Sequence, residues 1–150
     1  MNLFDQSTGK MTNAQARDGK MLMVTRENAD AAALVTLTAA GAGTTVSADQ
    51  TNLVGRGVKV VVDITAITGT TPTLTVKIQG KDAASGKYYD ILSSAALSTV
   101  STVVLEVYPG IANAANATQG LTLPKTWRAT CTVGGTTPAV TATVGASVIV

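Results

Sequence analysis

The sequence contains no histidine, a single cysteine (Cys131) and few charged residues. Without histidine, the commonest general base and a frequent metal ligand are missing. A single cysteine excludes an intramolecular disulfide, so stability has to come from a core, which 150 residues are enough to form. Charged residues make up 13% of the chain, against roughly 25% in an average soluble protein. We therefore expect no catalytic residue, no cofactor-binding residue, no bound cofactor and no metal site, and hence no enzyme.

Targeting and membrane signals are also missing from the sequence. The N-terminus has no basic segment followed by an apolar run, and no stretch approaches the roughly 20 apolar residues of a membrane span. We expect a protein that is made in the cytoplasm and has no membrane partner. Eleven Lys and Arg against nine acids give a net charge of +2 without a basic cluster, which predicts no direct nucleic-acid binding. A charge this small favours association, so we expect a homo-oligomer within an assembly.

Residues 1–30 differ in composition from the rest of the chain. They carry eight charged residues, against twelve in the following 120, and hold all four methionines and the only phenylalanine. They show no sustained helical or strand period, which predicts an extended N-terminal arm over 1–30 and a separate domain over 31–150. The alternative is a disordered tail. The predicted anchors of the arm on a partner are Leu3, Phe4, Met21, Leu22 and Met23.

From residue 31 onward, apolar and polar residues alternate in short runs separated by Gly, Pro, Asn and Thr. Alternation with period two is typical of strands that have one buried and one solvated face. The abundant Thr fits this pattern, because its β-branched side chain packs on a sheet and its hydroxyl can face water. The runs predict an all-β fold, an antiparallel β-sandwich of seven or eight strands, Ig-like or jelly-roll-like. The predicted inward residues include Val35, Leu37, Val58, Val60, Val62, Ile64, Leu74, Val76, Ile78, Val103, Leu105, Val107, Trp127, Ala129, Cys131, Val133, Val140, Ala142 and Val144.

One short motif occurs twice, as GTTPTLTVKI over 69–78 and GTTPAVTATV over 135–144. Glycine permits a positive φ, and proline holds the preceding Thr extended at the entry to a strand. The two copies predict two hairpins of the same design. Two copies are too few for a solenoid.

The sequence gives little support for a phosphate-binding loop, a reactive thiol or a sugar-binding surface. The glycine-rich runs 41–45 and 55–57 lack the sequence of a phosphate-binding loop and lie between predicted strands. Cys131 shares its phase with Trp127, which favours a buried, unreactive thiol. Tyr88 and Tyr89 are adjacent, so in a strand they face opposite sides and form no common platform for a sugar ring.

The predicted strands also carry a resemblance. The run from Val58 to Asp82, the run from Gly86 to Ile91 and the closing segment from Leu123 to Thr141 resemble small structural proteins of tailed bacteriophages. Among these, the chain is most similar to a capsid decoration (cement) protein. The likeness covers residues 55–145 and excludes the arm.

The resemblance implies a virion protein that is assembled in the host bacterial cytoplasm and lies on the capsid surface. The implied partners are the major capsid protein and further copies of the chain, as a trimer. The domain would bind the outside of the head where capsid subunits meet, and the arm would lie across a neighbour. The alternatives are a structural protein of the phage tail, neck or baseplate, and a glycan-binding module.

Overall fold

The computed structural model describes residues 2–5, 10–17, 20–24 and 30–150, with side chains from residue 33 onward. Regular structure in these residues consists of β-strands without a helix, which confirms the prediction of an all-β protein. Accordingly, they include no helix of the length and apolarity that crossing a membrane requires. The strands in chain order are β1 (Asn2–Asp5), β2 (Lys10–Arg17), β3 (Lys20–Val24), β4 (Asp30–Ala40), β5 (Gly43–Val46), β6 (Gln50–Thr51), β7 (Gly57–Lys81), β8 (Tyr88–Ser93), β9 (Ser101–Val107), β10 (Thr118–Gln119) and β11 (Thr126–Ile149).

The first three strands form an antiparallel sheet of their own, in the order β1-β2-β3. Leu3 pairs with Thr12 across β1 and β2, and Ala14 pairs with Met23 across β2 and β3. The sequence pattern did not predict these strands, because the segment lacks alternation. Pairing between strands uses main-chain groups, which every non-proline residue carries, so a hydrophobic period is not required for it.

The other eight strands form the main sheet, in the order β10-β9-β7-β11-β4, with β8 added to β7 and with β5 and β6 added to β11. Its centre consists of the long strands β7 and β11, which pair antiparallel from Gly57 with Ile149 to Gly80 with Trp127. β9 and β4 flank the half that contains residues 57–67 of β7, whereas β8, β5 and β6 flank the half that contains residues 73–81. The two halves of the main sheet therefore share both long strands.

The main sheet is mixed, although we predicted a wholly antiparallel one. β10 runs parallel to β9, with Thr118 beside Glu106 and Gln119 beside Val107. The loop over 108–117 carries the chain back along β9, so that β10 enters beside it in the same direction. The N–H of Glu106 donates to the carbonyl of Ala117 at 2.8 Å, which starts this pairing.

The two GTTP motifs are bends within the long strands, so the prediction of two hairpins is wrong. Gly69 and Gly135 have φ of +124° and +112°, while Thr71 and Thr137 have φ of +49° and +46°. The motifs lie opposite each other in the ladder, where the register shifts between Gly134 and Ala139. The same turn chemistry can reverse a chain or only bend it, and here each motif bends beside the other copy instead of folding back on its own strand.

Side chains from both halves of the main sheet form one buried core. The alternation predicted for β7, β11 and β4 is confirmed by the burial of the inward residues named above. The same phase predicts Val148 and Val150 as inward residues, but at the end of the chain both are only half-buried. In β9 the prediction holds for Leu105 and Val107, whereas Val103 is half-buried near the start of the strand. The core consists of Val35, Leu37, Val58, Val60, Val62, Ile64, Leu74, Val76, Ile78, Ile91, Leu92, Leu105, Val107, Leu123, Trp127, Ala129, Cys131, Val133, Val140, Ala142, Val144 and Ala146.

Candidate interaction surfaces

The residues predicted to anchor the arm lie in two of the N-terminal strands. Leu3 and Phe4 belong to β1, and Met21, Leu22 and Met23 belong to β3. Their side chains lie outside the described residues. Their contact with a partner therefore stays a prediction.

Two loops are joined at one end of the main sheet, residues 52–56 before β7 and residues 120–125 before β11. The main-chain N–H of Asn52 donates to the carbonyl of Lys125 at 2.7 Å, and the N–H of Leu123 donates to the carbonyl of Arg56 at 3.0 Å. The Nδ2 group of Asn52 donates to the carbonyls of Gly55 at 2.8 Å and Leu123 at 3.1 Å. Its Oδ1 accepts the N–H of Gly55 at 2.7 Å. The Asn52 side chain thus closes the first loop and ties it to the second.

Three apolar side chains project from these joined loops into solvent. Leu53 is 79% exposed, Leu121 is 47% exposed and Val54 is 45% exposed. The only charged residues in the two loops are Arg56 and Lys125, both exposed cations. We call Leu53, Val54 and Leu121, together with these two cations, the loop patch. Exposed apolar groups held on a fixed backbone, with polar residues at the rim, are typical of an interaction surface.

Sequence reasoning missed the loop patch because it searched for periodic runs. A signal was present at residues 52–55, where two apolar residues lie between an Asn and a Gly that favour a turn. Apolar residues at the tip of a turn have little chance of burial within their own domain. The link to Leu121 depends on hydrogen bonds between residues 71 positions apart, which no local pattern reveals.

A second feature is a polar network on the solvent face of β8, β7 and β11, which has Tyr88 at its centre. The hydroxyl of Tyr88 donates a hydrogen bond to Oδ1 of Asp49 at 2.6 Å. Nζ of Lys81 donates to Oδ2 of the same carboxylate at 3.0 Å. The guanidinium carbon of Arg128 lies 3.3 Å from the centroid of the Tyr88 ring. A cation over a tyrosine ring is attracted to the negative face of the ring.

The network continues from Arg128 to the edge strand β8. Arg128 Nε donates to Oε1 of Gln79 at 2.9 Å, and Nε2 of Gln79 donates to Oδ1 of Asp90 at 2.7 Å. Lys77 Nζ forms an ion pair with Oδ2 of Asp90 at 2.6 Å. The network therefore crosses all three strands, and each side-chain oxygen of Asp49, Asp90 and Gln79 accepts a hydrogen bond within it.

The carboxylates of the network are held in their charged form. The hydrogen bond from Tyr88, and then the one from Lys81, lower the pKa of Asp49 below its ordinary value. Gln79, and then Lys77, lower the pKa of Asp90 in the same way. Both groups are ionised at neutral pH and do not serve as general acids. Because their pKa values are depressed on folding, any stability they add is present at neutral pH and lost in acid, and it is small for such exposed pairs.

The tyrosines do not form a platform for a sugar ring. Arg128 covers the ring of Tyr88, while Tyr89 lies beside Gly80 and Pro124, so the two side chains have different neighbours. This confirms that adjacent tyrosines in β8 face opposite sides. Tyr108 is set apart in the loop after β9, with the Arg56 guanidinium 5.8 Å from its ring centroid.

A cavity of about 340 Å³ lies between β8 and the loop before β10. Its walls include Ile91 and Leu92 of β8, residues 113–116 of the loop, and Thr118 and Gln119 of β10. Two of its polar groups serve the loop itself, since Oδ1 of Asn113 accepts the N–H of Gly120 at 2.7 Å and Oγ1 of Thr118 donates to the carbonyl of Ala112 at 2.6 Å. These contacts hold the loop in its conformation.

Cys131 and Trp127 are buried in β11, as their phase predicts. Burial raises the pKa of the Cys131 thiol from 9.0 to about 11, so the reactive thiolate is scarce at neutral pH. The Nε1 group of Trp127 is buried and has no hydrogen-bond partner among the described residues.

The described residues do not bring three potential metal ligands of the His, Cys, Asp or Glu type together. No family model, no curated protein and no solved structure matches this chain.

Proposed function

We propose that this protein is a structural component of a tailed-phage virion, a capsid decoration (cement) protein. It binds the outside of the head and stabilises contacts between major capsid proteins. The main sheet folds over itself as a β-sandwich, Ig-like or jelly-roll-like. Support for this architecture comes from the single core to which both halves of the bent sheet contribute.

The observation that carries the proposal is the loop patch. It presents Leu53, Val54 and Leu121 on loops that Asn52 ties together, so little conformational entropy is lost when a partner binds. Its two cations, Arg56 and Lys125, favour a partner surface that combines apolar with acidic groups. On a capsid, such a surface would lie on the major capsid protein. The arm over 1–30, with the anchors named above, adds a second contact with a neighbouring subunit.

The reactive groups of the main sheet support a binding role and not catalysis. Asp49 and Asp90 are paired with cations. Asp82 accepts the N–H of Ser85 at 2.9 Å within its own turn. Cys131, the only thiol, is buried in the core. None of these groups is positioned as a nucleophile with an adjacent base.

Immunogold labelling of phage particles with an antibody against this protein tests its location. The expected result is gold on the outer surface of the head, with little gold on tails. Gold confined to the tail, neck or baseplate would support the alternative that the protein is a structural component there. Particles without label, in a lysate that contains the free protein, would contradict both.

Binding to heads that lack the protein tests the loop patch itself. The double variant Leu53→Asp with Leu121→Asp should bind at least about tenfold more weakly, because each Leu that loses its apolar contact forfeits up to about 1.5–3 kcal/mol. The measurement is the amount of protein that co-sediments with heads over a range of concentrations.

The matched control for the loop patch is Val100→Asp. Val100 is 62% exposed and precedes β9, whose first residue pairs with Ile64, far along the ladder from Gly57 and the loop patch. This variant adds an aspartate, one negative charge against the two of the double variant, at an exposed apolar site, and it should bind heads like the unaltered protein. Equal weakening by Val100→Asp, or full binding by the double variant, would exclude the loop patch as the contact.

A further inference from the structure

β4 is the longest strand at an edge of the main sheet. It comprises eleven residues, Asp30–Ala40, and pairs with β11 along one side. The ladder is regular over Val35–Leu37 and shifts register on either side of that stretch. Along its other side, no strand among the described residues pairs with it. Such an edge presents a row of main-chain N–H and C=O groups that a further strand can satisfy.

The sequence of β4 contains few of the side chains that protect edge strands from pairing. Natural edges carry lysine, proline or inward-facing charges, are interrupted by β-bulges, or are short. In β4 the register shifts lie outside Val35–Leu37, so this central stretch is regular. β4 reads DAAALVTLTAA, with a single charged residue, Asp30, at its start and with neither lysine nor proline. The other edges are shorter or charged: β5 has four residues, and β8 has six and carries the ion-paired Asp90.

We infer that two copies of this chain associate through the outer edge of β4, as an antiparallel pair about a two-fold axis. Pairing centred on Thr36 places Val35 of one copy opposite Leu37 of the other, on the face that is already buried in each monomer. Asp30 then lies beyond the last residue of the partner strand, so no like charges meet. Along the regular stretch Val35–Leu37, the same strand from a second copy therefore fits this edge in hydrogen bonding and side-chain phase, and no charge opposes the contact.

The β4 contact forms between free molecules in solution and does not depend on a place in the virion. It is two-fold, whereas the resemblance implies a trimer. A dimer results from the β4 contact alone, and a hexamer results if a separate three-fold contact is also present. Both the dimer and the hexamer require the β4 contact, so a substitution in β4 should change the mass of the protein in solution.

The experiment compares the mass in solution of the full chain, of Thr36→Lys and of Thr143→Lys, by sedimentation over a range of concentrations. Thr36 and Thr143 are register partners on β4 and β11, and both are exposed. Lysine at position 36 brings two like charges to directly opposed positions about 5 Å apart across the two-fold axis. Lysine at position 143 adds the same charge to the same face, one strand further from the contact.

For the unaltered chain, the expected result is a dimer or a hexamer. Thr36→Lys should raise the dissociation constant of the two-fold contact at least tenfold, while Thr143→Lys leaves it unchanged. Urea unfolding of each variant shows whether it remains folded. The inference would be overturned by a chain that is monomeric at all concentrations, or by a trimer whose association is unchanged in Thr36→Lys. Equal loss of association in both variants would also overturn it. Pairing of the β4 edge with a strand of a different protein, in a chain that is otherwise monomeric, would also overturn the inference, because the partner would then not be a second copy.

Discussion

Replacing Gly135 by alanine should destabilise the protein by about 2–4 kcal/mol. Gly135 has a φ of +112°, a conformation that alanine adopts only with strain of about 1–3 kcal/mol. An added Cβ would also lie 2.6 Å from the carbonyl oxygen of Thr71 and 2.9 Å from Cα of Pro72. Both contacts are with the main chain of the opposite bend, which cannot move aside without opening the ladder. The measurement is urea unfolding followed by the fluorescence of Trp127, the only tryptophan.

The matched control lies on the same strand. Gly145 in β11 has no atom within 4 Å of the position its Cβ would take, and its φ is not positive. Gly145→Ala should be neutral, or should stabilise by up to about 1 kcal/mol, because alanine loses less conformational freedom on folding than glycine. Similar unfolding midpoints for Gly135→Ala and Gly145→Ala would show that the bend does not require glycine.

Gly69 provides an internal repeat of the same experiment. An added Cβ at Gly69 would lie 2.7 Å from the carbonyl oxygen of Thr137. In each motif, therefore, a main-chain carbonyl lies close to the glycine of the other motif. The two bends form one structural unit, and Gly69→Ala should cost as much as Gly135→Ala. Because the residues are in contact, the double variant is expected to lose less than the sum of the two single losses.

The buried face of the main sheet could be predicted from the sequence because alternation reports on side-chain environment. Val58 to Ile64 and Trp127 to Val133 each repeat with period two, and each set lies in the core. A one-residue slip would turn every one of these side chains outward, so the pattern constrains the phase of each strand. It does not constrain which strand is the neighbour.

The sequence therefore did not allow us to predict which strands pair with each other. The GTTP motifs were correctly identified as sites of special backbone geometry, but Gly69 lies opposite Thr137 and not in a reversal of its own strand. The N-terminal strands β1–β3 gave no signal, since their pairing is a main-chain property. The arrangement of these elements depends on contacts between distant residues, which local patterns do not encode.

The interaction surfaces were hidden for the same reason. Arg128 and Gln79 are 49 residues apart in the chain but form a hydrogen bond across neighbouring strands. Leu53 and Leu121 belong to loops that are joined by hydrogen bonds of Asn52, Arg56 and Leu123. A single sequence shows that Leu53 lies in a turn, but only the folded chain shows that a second apolar loop lies next to it.

Cys131 should react with a thiol reagent at least about 1,000-fold more slowly in the folded protein than in concentrated urea. Two effects combine. Cys131 is fully buried, so the reagent reaches it only when the sheet opens. Burial also raises the pKa of the thiol from 9.0 to about 11, which lowers the thiolate fraction at neutral pH by about a hundredfold. The rate of disulfide exchange with an aromatic disulfide reagent at about pH 8 provides the measurement, and a rate close to that in urea would show that this part of β11 is open.

The raised pKa also predicts how stability depends on pH. The folded protein holds the proton of Cys131 more tightly than the unfolded chain does, so the stabilisation is complete below pH 9.0 and is lost as the pH rises toward about 11. Over that interval, the free energy of unfolding should fall by about 2–3 kcal/mol more in the unaltered protein than in Cys131→Ala. The comparison cancels the titration of Lys and Tyr, which both proteins share. Parallel pH profiles would mean that the Cys131 thiol ionises as readily in the folded sheet as in the unfolded chain, and hence that the core around it admits water.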